Sequence, residues 1–319
     1  MSMNSSTQVG EKPGTQVSTI PCANTKLSLQ GAASIVVVLP GAIGDSLLMM
    51  VLVNNLVRNG YRPVVVSWVV AELAAWFPEI DVVRSADPAR RFDLVIQLRA
   101  TTEGAALSAS NAVCEIVSLE PFRTHSHMID MLVDVARDCF GLSNITRETG
   151  IAAPPEIRFR AHEKRVAIHP TGSHVQKMWP REKFVALAKK LTRRGFSPSF
   201  LVAPQEKTAW LGEPDAAACL RSFERLADVA AWIAESGWFI GNDSGLGHLA
   251  SALGVPTLSL FMRRGLARTW RPNWGRGAIV LPRNVFVGAA LKERYWKFAL
   301  TARRVLRSFE QLKLEEPMS

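Results

Sequence analysis

Three stretches of the sequence carry polar groups suited to a phosphate-bearing ligand, and each follows an apolar run. The first is LPGAIGDS, where Gly41 and Gly44 permit a tight turn beside the carboxylate of Asp45. Aspartate at this place commonly caps a helix, but the two glycines also leave the carboxylate uncovered by neighbouring side chains. The sequence therefore keeps two roles open for Asp45, a helix cap and a group exposed for chemistry.

The second stretch, IHPTGSHVQKMWP, spans residues 168–180. The hydroxyls of Thr171 and Ser173, together with open backbone N–H groups, suit phosphate oxygens, and Lys177 adds a mobile positive charge. The alternative for Lys177 is a solvated loop lysine. We expect Trp179, just before the next helix, to lie in the core rather than in a site.

The third stretch is GNDSGLGHLASALGVP. Asp243 lies in a turn after a strand, and Ser244 begins a helix whose free N–H groups and positive dipole end suit an anion. His248 lies one turn further on the same face, either as a satisfied structural histidine or as a ligand contact. The same letters contain Gly-x-Gly-x-x-Ala, a dinucleotide fingerprint, but the acidic residue expected about 20 residues later to hold a ribose is missing.

Basic residues outnumber acidic ones, and the formal net charge is +10. This balance favours acidic partners such as a nucleotide, a phosphorylated glycan or an anionic membrane surface. The segment between Ser244 and Lys292 has no Asp or Glu and suits an anionic ligand, although a solvated basic loop is an equal alternative; it carries Arg263, Arg264, Arg268, Arg271 and Arg276. The basic residues are otherwise scattered without a nucleic-acid-binding motif, so we expect no nucleic-acid partner.

The four cysteines are far apart and are not paired with histidines at metal-ligand spacing. We therefore expect reduced thiols in a cytoplasmic protein, and no bound metal. His169 and His174 lack further ligands nearby, which argues against zinc. No apolar run reaches the length of a membrane-spanning helix, about 18 residues. Residues 1–30 lack the apolar core of a signal peptide and are predicted to be a disordered leader.

The elements that must position these stretches alternate between strand and helix. Continuous β-branched runs such as SIVVVL predict strands buried on both faces, and SLLMMVLVNNLVRNG predicts the helix after the first strand. The pattern lapses into prolines and charges at residues 151–165 and then restarts with VAIHP. We therefore predict an α/β fold with two Rossmann-like domains, each built on a parallel sheet, facing each other across a cleft.

The predicted first domain covers residues 31–155 and the second covers residues 156–290. Residues 291–319 include LKERYWKFALTARRVLRSFEQL, which has the pattern of an amphipathic helix. We expect this closing helix to pack back across the domains.

Three segments taken together resemble the bacterial heptosyltransferases of glycosyltransferase family nine: GAIGDSLLMM, IHPTGSHVQKMWPREKFVALAKKL and GNDSGLGHLASALGVPTLSLF. The likeness covers most of residues 35–281, with the three motifs in the family's order and spacing. It implies the GT-B fold, with the acceptor held by the first domain and an ADP-heptose donor by the second. It also implies inverting transfer without a required metal or cofactor. The chain departs from the family at Leu39-Pro40, where many members carry an arginine, and at Met262, where the family has glycine.

The resemblance also implies roles for particular residues. Asp45 is similar to the family's general base, Lys177 to the contact of the donor diphosphate, and Asp243 to the aspartate near the donor sugar. The other implied donor contacts are Thr171 and Ser173 as supporting hydroxyls, Glu206 for the ribose, Ser244, Gly245 and Leu246 at the helix start, and His248.

Three functions follow as hypotheses. The first is transfer of a sugar, heptose from ADP-heptose, onto an anionic glycan or glycolipid such as lipopolysaccharide core, which would bring the protein into peripheral contact with the inner membrane surface. The second is an NAD-binding oxidoreductase that uses Gly245-x-Gly247-x-x-Ala250. The third is a sugar-nucleotide-binding protein without catalysis.

Overall fold

The computed structural model describes residues 29, 32, 34–87, 89–108, 111–124, 126–212, 219–283 and 295–315. The predicted disordered leader lies almost wholly outside these residues, as do residues 291–294 and 316–319 of the predicted closing segment.

Eleven strands within the described residues form two parallel sheets. The first sheet consists of Ile35–Val38 (β1), Val64–Val66 (β2), Asp81–Val83 (β3), Leu94–Gln97 (β4) and Val113–Glu115 (β5), in the order β3-β2-β1-β4-β5. The second consists of His162–His169 (β6), Ser197–Leu201 (β7), Leu220–Arg221 (β8), Ser236–Asn242 (β9), Thr257–Leu260 (β10) and Gly277–Val280 (β11), in the order β11-β10-β9-β6-β7-β8. The predicted α/β class with two parallel sheets is confirmed.

Helices connect the strands. The α-helices are Ile43–Arg58 (α1), Thr102–Ser108 (α2), Met128–Asp134 (α3), Arg181–Thr192 (α4), Lys207–Leu211 (α5), Leu226–Ala234 (α6), Gly245–Ala252 (α7), Arg264–Trp270 (α8) and Ala302–Leu314 (α9). The 3-10 helices are Val70–Trp76, Ile116–Ser118, Glu120–Arg123, Val175–Lys177 and Pro204–Glu206; a π-helical turn, Val135–Cys139, follows α3, and residues 295–299 are helical. The backbone of the 3-10 helix Val70–Trp76 is interrupted at Leu73, where it is not helical.

The strand order of each sheet reverses beside its first strand, between β1 and β4 and between β6 and β9. Ligands of open parallel sheets bind outside the carboxyl ends of the strands at such a point. The three stretches singled out from the sequence follow β1, β6 and β9. The topology therefore places all three stretches at the carboxyl ends of the strands, beside the switch points of the two sheets.

The middle of helix α1, from Leu47 to Val53, is apolar around its whole circumference, which is typical of a helix segment buried on every side. Every residue from Leu47 to Val53 is fully buried, between the first sheet and helix α7 of the second half. The helix begins at Ile43 after the N-cap residue Ala42. Asp45 thus lies inside the first turn, and its interpretation as the helix cap is wrong.

The starts of α1 and α7 approach each other closely because both carry glycine. A Cβ atom on Gly245 would overlap Cγ2 of Ile43 and lie 3.1 Å from the backbone nitrogen of Gly44. A Cβ atom on Gly44 would lie 3.4 Å from Cα of Gly245 and 3.1 Å from Cδ2 of His248. The absence of side chains at these two positions allows the two halves to pack with their helix starts together.

The predicted closing helix is shorter than its sequence pattern. Helix α9 begins at Ala302, after Thr301, whose hydroxyl accepts a hydrogen bond from the backbone N–H of Arg304. Its main packing is against α4 and β11, and its apolar residues join the core of the second half. The predicted packing of residues 291–319 back across the domains stays a prediction. The predicted domain boundaries stay predictions.

Within the described residues, no helix combines the length and the apolar character that a bilayer crossing requires.

We predict that Gly245→Ala lowers the midpoint of thermal unfolding, because the added methyl group must push apart two well-packed helix starts. Overpacking of this kind typically costs about 1–3 kcal/mol of unfolding free energy. The matched control is Gly265→Ala near the start of α8, where an added Cβ would meet nothing within 4 Å. Equal unfolding midpoints for the two variants would show that the fold accommodates a side chain at Gly245 without loss of stability.

Candidate active site

An ion pair lies at the edge of the second sheet where β6 and β9 end. Lys177 Nζ lies 2.9 Å from Asp243 Oδ2, and the side chains are 32% and 13% exposed, respectively. Two of the predicted site residues, 66 positions apart in the sequence, are therefore in direct contact. The alternative of a solvated loop lysine for Lys177 is wrong.

The loop that carries Lys177 is anchored to the end of β9 by Asn242, which is 1% exposed. Its side-chain oxygen accepts a hydrogen bond from the backbone N–H of Trp179 at 3.0 Å. Its side-chain nitrogen donates to the carbonyl of Pro170 at 2.7 Å. One buried amide thus holds both ends of the loop, a role of Asn242 that no local sequence pattern signals.

The C-terminal part of the chain supports the same loop from another side. The indole N–H of Trp296 donates to the carbonyl of Gln176 at 3.0 Å, and Lys297 Nζ donates to that of Val175 at 2.7 Å. The indole N–H of Trp179 donates in turn to the carbonyl of Leu300 at 3.0 Å. Trp179 is 1% exposed, which confirms its predicted place in the core.

His169 joins two predicted hydroxyl contacts at the switch point of the second sheet. Its Nδ1 lies 3.2 Å from Ser244 Oγ, and its Nε2 lies 3.2 Å from Thr171 Oγ1. Burial lowers the pKa of His169 to about 4, so the ring is neutral at neutral pH. Ser244 is the N-cap residue of α7, and its hydroxyl bonds to this ring rather than to the backbone of the helix start.

Asp45 faces the ion pair from the first half. Burial raises the pKa of its carboxyl above the ordinary 3.8; Arg99 and Lys177 oppose this shift, and Asp243 adds to it. Asp45 is thus close enough to Lys177 and Asp243 to interact electrostatically across the junction of the two halves. Arg99 follows β4, the other strand of the first switch point, and was missed because a single arginine after a strand has no distinctive pattern.

His248 lies behind the helix start rather than at its open end. It is 5% exposed, and its ring stands edge-on to that of Trp274 with the ring centres 6.0 Å apart. Burial lowers its pKa to about 4, and its Nδ1 has no hydrogen-bond partner within the described part of the chain. These contacts make His248 a packing residue at the junction, and a ligand contact stays a prediction.

The other predicted donor residues lie at the same edge of the second sheet. Ser173 is exposed in the loop after β6, and Gly245 and Leu246 form the half-buried start of α7. Glu206 follows β7, and its carboxylate accepts a hydrogen bond from the backbone N–H of Ala203 at 2.9 Å. The structure brings the predicted residues to one edge, while their roles toward a ligand stay predictions.

The arginines predicted as one basic segment are divided by the fold. Arg263 and Arg264 begin α8 after β10, and the carbonyl of Arg271 lies 2.8 Å from Nε2 of His127. Arg276 instead lies with its guanidinium 5.7 Å from the ring centre of Trp238 in β9. Arg276 therefore lies apart from Arg263 and Arg264, and a ligand contact of the segment stays a prediction.

The edge as a whole can bind an anion on one side and accept a proton on the other. Lys177 and the start of α7 offer positive charge and backbone N–H donors, which suit a diphosphate. Asp45 offers a carboxylate whose raised pKa makes it a better proton acceptor than a solvated aspartate. The combination suits displacement of a phosphate leaving group by a hydroxyl group.

The family model described as "Glycosyltransferase family 9 (heptosyltransferase)" matches residues 119–281, which is just over half of the 319 residues. The chain belongs to glycosyltransferase family 9. The resemblance stated from the three motifs is thereby confirmed. The match begins after Asp45 and Arg99, so it covers the second half of the site and not the first.

Curated relatives are similar over shorter stretches. Lipopolysaccharide heptosyltransferase 3 of Escherichia coli is 27% identical over 150 residues, 45% of this chain and 41% of the relative. Lipopolysaccharide heptosyltransferase 1 of Pseudomonas aeruginosa is 37% identical over 99 residues, 30% of this chain and 28% of the relative. The chain thus spans less than half the length of these curated relatives.

Solved structures are similar over nearly the whole fold. The glycosyl transferase family 9 protein of Veillonella parvula has a TM-score of 0.69 at 18% identity, covering 89% of this chain and 98% of that one. The Escherichia coli heptosyltransferase WaaC with ADP has a TM-score of 0.65 at 16% identity, covering 88% and 99%. These likenesses confirm the predicted GT-B type of fold. The alternative of an NAD-binding oxidoreductase finds no support in these comparisons, and Gly245 of its fingerprint instead packs against Ile43.

We predict that stability falls as the pH drops from 6.5 toward 4, because His169 and His248 are held neutral in the fold. The unfolded chain takes up protons in this window before the folded chain does, so each histidine costs up to about 3 kcal/mol of unfolding free energy at its lower end. Urea unfolding between pH 7 and 4.5 measures the loss. His169→Gln should flatten the pH dependence, whereas the control His174→Gln, in an exposed loop position, should not. An unchanged slope in His169→Gln would contradict the buried, neutral state of His169.

Proposed function

We propose that this protein is an inverting glycosyltransferase that moves heptose from ADP-heptose to a hydroxyl of a glycan acceptor. The observation that carries the proposal is the position of Asp45 opposite the Lys177–Asp243 pair at the junction of the two sheets. Family membership supports a heptosyl donor, as do the curated relatives named lipopolysaccharide heptosyltransferases. One neighbouring structure contains ADP, and another contains ADP-2-deoxy-2-fluoro heptose.

In the proposed reaction, Asp45 removes the proton of the acceptor hydroxyl. A bond forms between that oxygen and the anomeric carbon of the sugar as the bond from this carbon to the donor phosphate breaks. Attack opposite the leaving group inverts the anomeric centre. The rate should fall at acid pH as Asp45 becomes protonated, at a pH above the ordinary 3.8 because burial raises its pKa.

The leaving ADP carries the negative charge away and needs fixed positive partners. In the proposal, Lys177 and the backbone N–H groups of Gly245 and Leu246 bind the diphosphate, supported by the hydroxyls of Thr171, Ser173 and Ser244. Preorganised donors of this kind are worth about 3 kcal/mol each toward a developing charge in a closed site. Asp243 holds Lys177 in place before the donor arrives and then lies beside the sugar, while Glu206 is proposed to bind the ribose.

The proposed acceptor is a lipopolysaccharide core or a similar anionic glycolipid, held by the first half. A groove whose lining includes the exposed Trp68 and Arg84 lies beside Gly41 at the carboxyl ends of β1 and β2. An indole and a guanidinium suit a sugar ring and an acidic substituent, respectively. Because such an acceptor is lipid-linked, the proposal includes a cytoplasmic location with peripheral contact to a membrane, which the net charge of +10 favours.

We predict that Asp45→Asn lowers the rate of heptosyl transfer by about a thousandfold while ADP-heptose affinity stays within about twofold, because a general base acts in the chemical step. ADP release from ADP-heptose in the presence of heptose-deficient lipopolysaccharide measures the rate, and calorimetry measures the affinity. Asp81→Asn in strand β3, an exposed position, is the matched control. Full turnover by Asp45→Asn would exclude the assignment, and donor binding without turnover by the unmodified protein would favour a non-catalytic sugar-nucleotide-binding protein.

We predict that Lys177→Met weakens ADP-heptose binding by about 10- to 100-fold, the loss expected for one charge-assisted hydrogen bond to a phosphate. The control is Lys313→Met near the end of α9, where the side chain is exposed. Circular dichroism of both variants checks that folding is intact, because Asp243 loses its partner in the first. Donor affinity that does not differ between the two variants would place the diphosphate elsewhere.

A further inference from the structure

A second basic groove lies on the far side of the second half. It has a volume of about 560 Å³ and runs between helix α6 and the beginnings of β6 and β7. Its lining includes Arg165, Ser197, Ser199, Arg221 and Trp232. The strand register pairs Arg165 with Ser197 and places Arg221 opposite Leu201, two residues beyond Ser199. The two arginines and the two serines therefore lie on the same face of the sheet.

Two guanidinium groups in this groove share one indole ring. The Cζ atom of Arg165 lies 3.9 Å from the ring centre of Trp232, and that of Arg221 lies 5.4 Å from it. The nearest carboxylate of an ion pair is that of Glu235, 3.8 Å from Arg165 Nη1, which is the outer limit for such a contact. Glu163 and Lys164 lie at the rim with opposite charges. The floor of the groove is thus left with more positive than negative charge.

Two donors in the groove are buried and make no hydrogen bond within the described residues, because the Glu235 carboxylate at 3.8 Å is too far for one. The Arg165 side chain is only 11% exposed. Neither Nη1 of Arg165 nor Nε1 of Trp232 has a hydrogen-bond partner within the described residues. Burial lowers the pKa of Arg165, Glu235 opposes the shift, and Arg221 adds to it. Buried donors without partners are rare and costly in folded proteins, so their convergence on one groove indicates an absent acceptor.

We propose that this groove is a binding site for a phosphate group carried by a larger molecule. Phosphate oxygens would accept hydrogen bonds from Arg165 and from the Trp232 indole, and Arg221 would add charge from the rim, as guanidinium groups commonly do with phosphates. The serine hydroxyls supply further donors along the floor. The groove exceeds the size of a phosphate ion, which leaves room for the rest of a phosphate ester.

The groove is separate from the proposed donor site. Arg165 precedes His169 by four residues along β6, roughly 13 Å of extended strand. The donor residues follow the carboxyl ends of β6 and β9, whereas this groove lies at the amino ends. Binding here can therefore be measured whether or not the protein transfers heptose.

Thermal unfolding of the full chain at constant ionic strength tests the site. Inorganic phosphate and glucose 6-phosphate are titrated against chloride, in a Lys177→Met background that weakens the other predicted phosphate site. A ligand that binds only the folded state raises the unfolding midpoint. We expect both ligands to stabilise the unmodified groove saturably. The affinity derived from the titration should be about tenfold lower in Arg165→Gln and in Arg221→Gln. Arg62→Gln, an exposed change in the first half, should leave the affinity unaltered.

Vesicles distinguish the source of the phosphate. Cosedimentation with phosphatidylcholine vesicles containing phosphatidylglycerol, compared between the unmodified chain and Arg221→Gln, tests a lipid headgroup. If Arg221→Gln weakens binding of the soluble phosphates but not binding to vesicles, the ligand is a soluble phosphate ester. If it also weakens binding to vesicles, the ligand is a lipid. Because Arg221 is exposed, we expect Arg221→Gln to fold, so this variant tests the proposal even if Arg165→Gln fails to fold. Binding that is unaffected by Arg221→Gln in both formats, or no binding in either, would overturn the proposal.

Discussion

The contact between the starts of helices α1 and α7 is the constraint on which the candidate site depends. Gly44 and Gly245 meet at backbone distance, and this contact sets how far Asp45 in one half lies from Lys177 and Asp243 in the other. Each helix follows the strand at its sheet's switch point, so the topology of two parallel sheets and one close helix contact brings the residues of the candidate site together. The fully buried middle of α1, from Leu47 to Val53, makes this junction part of the core.

The charges at the junction are balanced before any ligand arrives. Lys177 is paired with Asp243, and Asp45 is kept from full solvation beside them. A diphosphate would compete for Lys177 and change the balance felt by both carboxylates. Hydrogen bonds of His169, Asn242 and Trp179 fix the loop geometry, so the positive group is already ordered before any ligand binds.

Much of this arrangement could be predicted from the sequence because its signals are local. The β-branched runs gave the strands, and the turns after β1, β6 and β9 gave Asp45, Lys177 and Asp243. Contacts between distant segments have no such signal: the amide of Asn242, the charge of Arg99 and the Trp296–Gln176 hydrogen bond depend on tertiary folding. The short edge strand β3 was missed for another reason, because three residues are too few to form a pattern.

The most direct test of the central claim, that one site spans the two halves, is a crystal structure with ADP-2-deoxy-2-fluoro heptose bound. The account predicts phosphate oxygens within hydrogen-bond distance of Lys177 Nζ and of the backbone N–H groups at the start of α7. It also predicts an anomeric carbon whose face opposite the phosphate is turned toward Asp45. A sugar turned away from Asp45, or a diphosphate bound away from Lys177, would contradict the account.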